Sequence, residues 1–293
     1  MKGADKMANK KLKAPVNIPV SKIHPFEGHP YKVLDNEEMN TLIESIQQKG
    51  VISPIVVRPL ENTEDEYEII SGHRRLRASV KAGLETVPAL IYAVSRDEAA
   101  IMLVDSNLHR EHILPSERAF AYKLKSEALK HQGKRSDLTS VQVAPKLSTE
   151  QIAETENISK DTVKRYIRLT YLIPELLDLV DEERIAFTPA VELSYLNEVE
   201  QADLVEEIRV CDATPNLSQA QRLRAISREE GLTPEHICEI LAEEKANQRE
   251  KIKIPAERIR KYFPKSYTTE QIEEAIIKIC ESRYRARQGR DAR

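Results

Sequence analysis

The hydrophobic period of the chain changes near residue 95, and this change divides the fold. Before it, short runs rich in Val and Ile ("VNIPVSKIHP", "PIVVRP", "YEIISG", "VPALIYAV") alternate with helical stripes. After it, the strand signal is sparse and helical spacing takes over. Runs of strand length separated by amphipathic helices predict a small layered α+β unit over residues 16–104. In "DNEEMNTLIESIQQKG", Met39, Leu42, Ile43 and Ile46 share one face. Asp35 is expected to cap this helix, Glu38 to complete a capping box and Gly50 to end it. "HRRLRASVKAGL" is a second helix, stopped by Gly83. The expected fold class is therefore an α+β N-terminal domain, an all-α helix-turn-helix domain and a small, mostly helical C-terminal domain. The expected boundaries are a disordered basic arm at 1–15, the layered unit at 16–104, a helical domain at 105–230 and a dimerisation or interaction region at 231–293.

Within the helical part, "PSERAFAYKLKSEALKHQG" has Pro115 near its start and Gly133 at its expected end. Thr233 and Pro234 open a later helix, and "TTEQIEEAIIKICESRYRARQGRDAR" predicts a final one. The net charge of the 293-residue chain is -3, so any anion-binding surface must be local. Aromatic residues make up only 5%, which argues against an aromatic-lined groove for sugar or single strands. Cys211, Cys238 and Cys280 are far apart without ligand spacing, and read as reduced thiols in a cytosol. The N-terminal lysines lack an adjoining apolar stretch, so no signal peptide is expected. No apolar run approaches the roughly 18 residues of a membrane span.

Two stretches carry candidate chemistry. "IISGHRRLRAS" leaves a buried strand, turns at Gly72 and places His73, Arg74 and Arg75 at the start of a helix. A helix N-terminus presents unpaired N–H groups and partial positive charge, and forked guanidinium donors suit phosphate oxygens. This predicts a polyphosphate site at Gly72, Arg74 and Arg75. The alternative is a basic surface helix whose arginines pair with acids such as Glu66 or Glu68, with Arg77 and Lys81 solvated. "DSNLHRE", from Asp105 to Glu111, either completes a nucleotide or metal site or is a capped helix start.

The second stretch is "STEQIAETENISKDTVKRYIRLTYL". Ser148 and Gln151 form an expected capping box, Ala153 permits a close helix crossing, and Asn157 sits where a left-handed turn residue is needed. Ser159 then caps a second helix with Val163, Tyr166 and Ile167 inward and Lys160, Thr162, Lys164, Arg165 and Arg168 outward. This is the spacing of a DNA-binding helix-turn-helix at 148–170. The bland alternative is a helical hairpin with a solvated basic face. Ser159, Lys160, Thr162, Lys164, Arg165 and Arg168 are the candidate DNA contacts, to bases or to phosphates alike.

The order of these parts resembles the ParB family of plasmid and chromosome partition proteins. Three boxes carry the likeness: "NTLIESIQQKGVISPIVVRP", "SGHRRLRASVKAGLETVPALI" and "DSNLHREHILPSERA". The helix-turn-helix follows where the family has it, and the likeness extends over about residues 16–230. The resemblance implies a nucleotide site for CTP with Mg2+, to which Gly72, His73, Arg74, Arg75, Asn107 and Arg110 would contribute, with Asn107 and Asp105 facing the metal. It implies a homodimer that closes as a clamp on double-stranded DNA at a centromere-like site. It also implies a ParA-like ATPase partner stimulated by the basic arm, and a cytoplasmic, nucleoid- or plasmid-associated location without membrane contact.

The departures from the family matter as much. The second-box glutamate is His73 here and the third-box glutamate is Ser106, which points to CTP binding with weak hydrolysis at most. "HPFEGHPYKV" stands where relatives usually carry Gln-Pro-Arg. The competing function is a transcription or replication regulator on the same scaffold without a nucleotide switch. The small fold also resembles sulfiredoxin, but the position of that enzyme's cysteine is Gly72.

Overall fold

In the computed structural model, the described residues are 14–136 except 62, 109 and 111, then 148–243, 259–264, 267–268, 271–272, 274–279 and 281. The chain divides into two compact units, Met1–Glu243 and Glu244–Arg293.

The first unit opens on a five-stranded mixed sheet of β1 (Val16–Pro19), β2 (Ile23–His24), β3 (Ile55–Pro59), β4 (Tyr67–Ser71) and β5 (Thr86–Ile91), ordered β1-β5-β3-β4-β2. β3 runs antiparallel to β4, with Val57 opposite Ile69, and parallel to β5, with Ile55 opposite Ala89. Because side chains alternate across a strand, Ile55, Val57 and Ile69 reach one core together with Ile18, Val87 and Ala89. The strands expected between residues 16 and 95 are thus present in one layer, while a short strand expected within "IKIPAERIRKYFP" falls largely outside the described residues.

Helices α1 (Glu37–Lys49) and α2 (His73–Lys81) pack through Met39, Ile46 and Ala78. The cap of α1 differs from expectation. Asn36 Oδ1 accepts from Met39 N at 3.1 Å, whereas Asp35 receives Arg77 Nε and Nη2 at 2.9 and 2.6 Å and Lys81 Nζ at 2.8 Å. The two cations expected to be solvated instead draw α2 onto the entry of α1. They hold the Asp35 carboxyl below the usual carboxylate range, Arg77 contributing most.

Helix α3 (Arg96–Asn107) starts with a Ser95–Glu98 capping box and runs through the expected boundary at 104/105. Helix α4 (Pro115–Ser136) continues past Gly133, its expected end. Phe26, Tyr31 and Ile70 of the sheet layer share a core with Ala99, Leu103 and Val104 of α3 and with Ala121 and Tyr122 of α4. Ile152, Ala153 and Val163, from α5 (Ser148–Glu156) and α6 (Lys160–Leu169), belong to the same core. The sheet layer and the first helices are therefore joined by packed apolar side chains rather than by a linker.

A second core gathers α7 (Pro174–Asp181), α8 (Phe187–Leu193), α9 (Glu198–Cys211), α10 (Leu217–Glu229) and α11 (Pro234–Ala242) around Leu176, Leu193, Leu204, Ala220, Leu223 and Ile237. Thr233 caps α11 as expected, accepting from His236 N, and Pro234 is at its first position. However, Ile237, Ile240 and Leu241 bury α11 in this core, so the first unit extends to Glu243 and not to residue 230.

In the second unit, Thr268 N donates to Gln271 Oε1 at 2.9 Å and Gln271 N to Thr268 Oγ1 at 3.3 Å. This capping box opens the expected last helix, whose described residues include 271–272 and 274–279. The basic arm expected at 1–15 lies largely outside the described residues. Among the described residues, no helix is long and apolar enough to cross a membrane.

Candidate phosphate cradle and nucleic-acid interface

β4 ends at Ser71 and the chain turns at Gly72, with φ 99° and ψ 25°. An added Cβ there would sit 2.9 Å from Ile55 Cγ2 and 3.2 Å from Arg75 Nη2. Conformation and space both demand glycine. Helix α2 then begins without a side-chain cap and without an acid in its first turn. Its leading N–H groups are left for solvent or an anion.

The residues around this turn divide by role. Arg74 reaches Glu38 at 3.0 Å, and both side chains are largely exposed, so the pair can exchange for an anion at small cost. Arg75 is not the free, exposed donor expected from sequence. Its Nη1 donates to the carbonyls of Ser53 and Pro54 at 2.5 and 2.7 Å, bracing the loop that leads into β3. Neither Glu66 nor Glu68 takes these arginines. Glu68 holds the buried Arg58 at 2.7 Å, and Glu66 faces His24.

His73 opens α2 with its ring 3.8 Å, centroid to centroid, from that of His29, at 39°. Its Nε2 is buried with no hydrogen-bond partner among the described residues. Burial, then the charges of His29 and Arg110, push its pKa down to about 3. Burial likewise lowers His29, with Arg110 opposing its charge as well. Arg110 lies over the Tyr31 ring at 5.5 Å. Thus the second-box His73 and the third-box Arg110 are brought into one electrostatic neighbourhood. Alongside runs a cleft of about 410 Å³ lined by Pro25, Val33, Ile69, His73, Leu76 and Arg77, among others.

The other third-box residues are placed differently. The Asn107 amide is buried and donates to Leu103 O at 2.7 Å and Ser106 Oγ at 3.2 Å. Asp105, expected to face a metal, is bound by Lys125 Nζ at 2.6 Å. The cradle therefore offers imidazole and guanidinium, and its neighbouring carboxylate Glu38 is neutralised by Arg74. That donor set fits an anion; Mg2+ takes oxygen ligands, which a bound triphosphate itself carries.

The second candidate site is the α5–α6 pair. Asn157 adopts φ 54° between the helices, as its position requires. Ser159 Oγ accepts from Thr162 N at 3.0 Å and pairs with Thr162 Oγ1 at 2.9 Å. Val163 is fully buried, Lys160 pairs with Glu150 at 3.3 Å, and Lys164 is exposed near Asp161 at 3.7 Å. Ser148 is not a free cap. It is buried in the first turn of α5 and bonds Ser126 of α4 at 2.8 Å.

Two residues expected to point outward are turned onto α8 and its end. Arg165 donates to Thr188 Oγ1 at 2.9 Å and lies over Phe187 at 5.0 Å. Arg168 donates to Ser194 Oγ and O at 3.1 and 2.7 Å and lies 4.0 Å from the Tyr195 ring centroid. Both bind α6 to the helix behind it.

The family model for the ParB N-terminal domain matches residues 2–108. The chromosome-partitioning protein Spo0J of Thermus thermophilus is 32% identical over 170 residues, 58% of this chain and 56% of that protein. The nucleoid occlusion protein of Listeria innocua is 30% identical over 201 residues, 66% of this chain and 68% of that protein. This chain belongs to the ParB family. It spans about a third to two thirds of the length of the curated relatives it matches. Among solved structures it is similar to C-terminally truncated ParB of Caulobacter crescentus complexed with CTP-γ-S. There the identity is 25% and the TM-score 0.32, over 67% of this chain and 99% of that one.

Within the ParB frame, His29 and Tyr31 are the residues that sequence reasoning missed. Their segment, "HPFEGHPYKV", stood out only as a departure from the family's Gln-Pro-Arg. Its one local signal was Gly28, which turns at φ 78° and precedes the histidine that meets His73. That contact joins positions 44 residues apart in sequence, beyond the reach of any local spacing rule.

Proposed function

We propose that this chain is a sequence-specific DNA-binding protein of chromosome or plasmid partition, whose sheet layer holds a cytidine triphosphate above Gly72. The observation that carries the reading is the Gly72 turn itself. A crowded, left-handed glycine opens an uncapped helix start, flanked by an arginine whose acidic partner is exposed. Phosphate oxygens would accept from the leading amides of α2 and from Arg74 as it leaves Glu38. Arg75 would hold the floor of the site through Ser53 and Pro54, and Arg110 would add charge from the third box. Asn107 would act by fixing the end of α3, through its bond to Leu103.

With His73 in place of the family acid and Asp105 engaged by Lys125, the reading is a nucleotide-binding protein with little or no turnover. When bound, the nucleotide supplies charge and contacts that favour one arrangement of the layer. The core shared by Tyr31, Ile70, Ile152 and Val163 packs the layer against the helices proposed to bind DNA. On this account α5 and α6 form a helix-turn-helix, with Ser159, Lys160, Thr162 and Lys164 facing double-stranded DNA. The chain would act as a homodimeric clamp at a centromere-like site, and its basic arm would engage a ParA-like ATPase.

Hydrogen exchange of the full chain with and without CTP and duplex DNA tests this reading. Slowed exchange at residues 71–76 on adding CTP supports it, and unchanged exchange with and without DNA rejects its nucleotide half. A second reading, a ParB-like transcription or replication regulator without nucleotide switching, is favoured by His73 and the Asp105–Lys125 pair. DNA binding indifferent to CTP, with loss of promoter repression on deletion, would select it.

A further inference from the structure

Cys211 and Cys238, 27 positions apart and without ligand spacing in sequence, are brought together by the packing of α11 on α9. Glu207 precedes Cys211 by four residues, hence on the same face of α9. One ligand atom from each of Glu207, Cys211 and Cys238 lies within 4.8 Å of the other two. The backbone beneath them is fixed, because Ile208 of α9 and Ile237 of α11 are buried in the same core.

We propose that Glu207, Cys211 and Cys238 form a binding site for a thiophilic divalent cation of the zinc class, which staples α11 to α9. The ligand set selects the ion. Two thiolates favour zinc over magnesium or calcium, and a carboxylate is an ordinary third zinc ligand. Ligand atoms around a tetrahedral zinc stand about 3.5–3.8 Å apart, so modest side-chain rotation closes the site. Three protein ligands leave the fourth position to water, which makes the site exchangeable. Binding of the cation displaces a proton from each thiol to solvent as the two S–metal bonds form. Helix α11 is the last element of the first unit before the chain passes into Glu244–Arg293. The ion would therefore fasten the point at which the chain leaves the unit.

The test uses the full-length protein, reduced and stripped with a chelator, and titrated with Co2+ as an optical probe and with Zn2+ against a chromophoric chelator. A Cys280→Ser variant removes the remaining thiol. The expected result is one equivalent bound, a sulfur-to-cobalt charge-transfer band, and slower exchange of the α11 amides with zinc. Cys211→Ser and Cys238→Ser should each weaken binding by about tenfold or more, and Cys280→Ser should leave it unchanged. Absence of the band, equal affinity in Cys211→Ser, or loss of binding in Cys280→Ser overturns the proposal. So does a Cys211–Cys238 disulfide whose reduced form has no zinc affinity.

Discussion

The rings of His29 and His73 lie 3.8 Å apart, centroid to centroid, at the start of α2. Neither ring is expected to carry charge at neutral pH, since burial depresses both, and His73 titrates only near 3. In the unfolded chain His73 takes up its proton near 6.5. The unfolded state thus binds more protons below that value, and stability falls as pH drops from about 6.5 toward 3, with no contribution above it. Urea unfolding at pH 7 and pH 5 should show the wild type losing about 1–2 kcal/mol more than His73→Gln. Parallel losses in the two proteins would remove His73 from the pH response.

Gly72→Ala should destabilise the unit by about 2–4 kcal/mol, combining a strained φ with a clash against Ile55. Gly83 also has positive φ, but nothing lies within 4 Å of its added Cβ. Gly83→Ala should therefore cost only the conformational part, about 1–2 kcal/mol. Equal denaturation midpoints for the two variants would show that crowding at Gly72 contributes nothing.

Arg74 and Arg75 should separate cleanly. Arg75→Ala removes two carbonyl acceptors' partner and should lower stability by about 1–3 kcal/mol. Arg74→Ala breaks an exposed pair with Glu38 and should cost about 0–1 kcal/mol. Thermal unfolding of both variants without ligand measures this difference directly.

On the DNA side, Lys164→Ala should weaken binding to every duplex alike and reduce the salt slope by about 1, as for a phosphate contact. Arg168→Ala should instead lower stability by about 1–3 kcal/mol, because it bonds Ser194 and packs on Tyr195. Salt titration of DNA affinity alongside urea unfolding distinguishes the two effects.

Local rules made the strands of the sheet, the starts of α2, α4, α6 and α11 and the Asn157 turn legible, because each depends on residues within one turn or one strand. The same rules found Gly72, whose backbone conformation is a local requirement. They misplaced what depends on distant partners. Asp35 carries the signature of a cap, yet Arg77 and Lys81 on α2 compete for it while Asn36 takes over. Arg165 and Arg168 sit at outward positions of a helix, but α8 arrives behind them with Thr188 and Ser194. Asp105 met Lys125 for the same reason, across the α3–α4 contact. A helical period states which face a residue is on, and only the tertiary fold states what covers that face.

Calorimetric titration of CTP into the full-length protein and into Arg74→Ala, with phosphate release followed in parallel, decides whether the Gly72 turn holds the nucleotide. Binding to the wild type should be saturable, about tenfold or more weaker in the variant with at most a small loss of thermal stability, and little phosphate should be released. No heat of binding in the wild type, or equal affinity in Arg74→Ala, would contradict it.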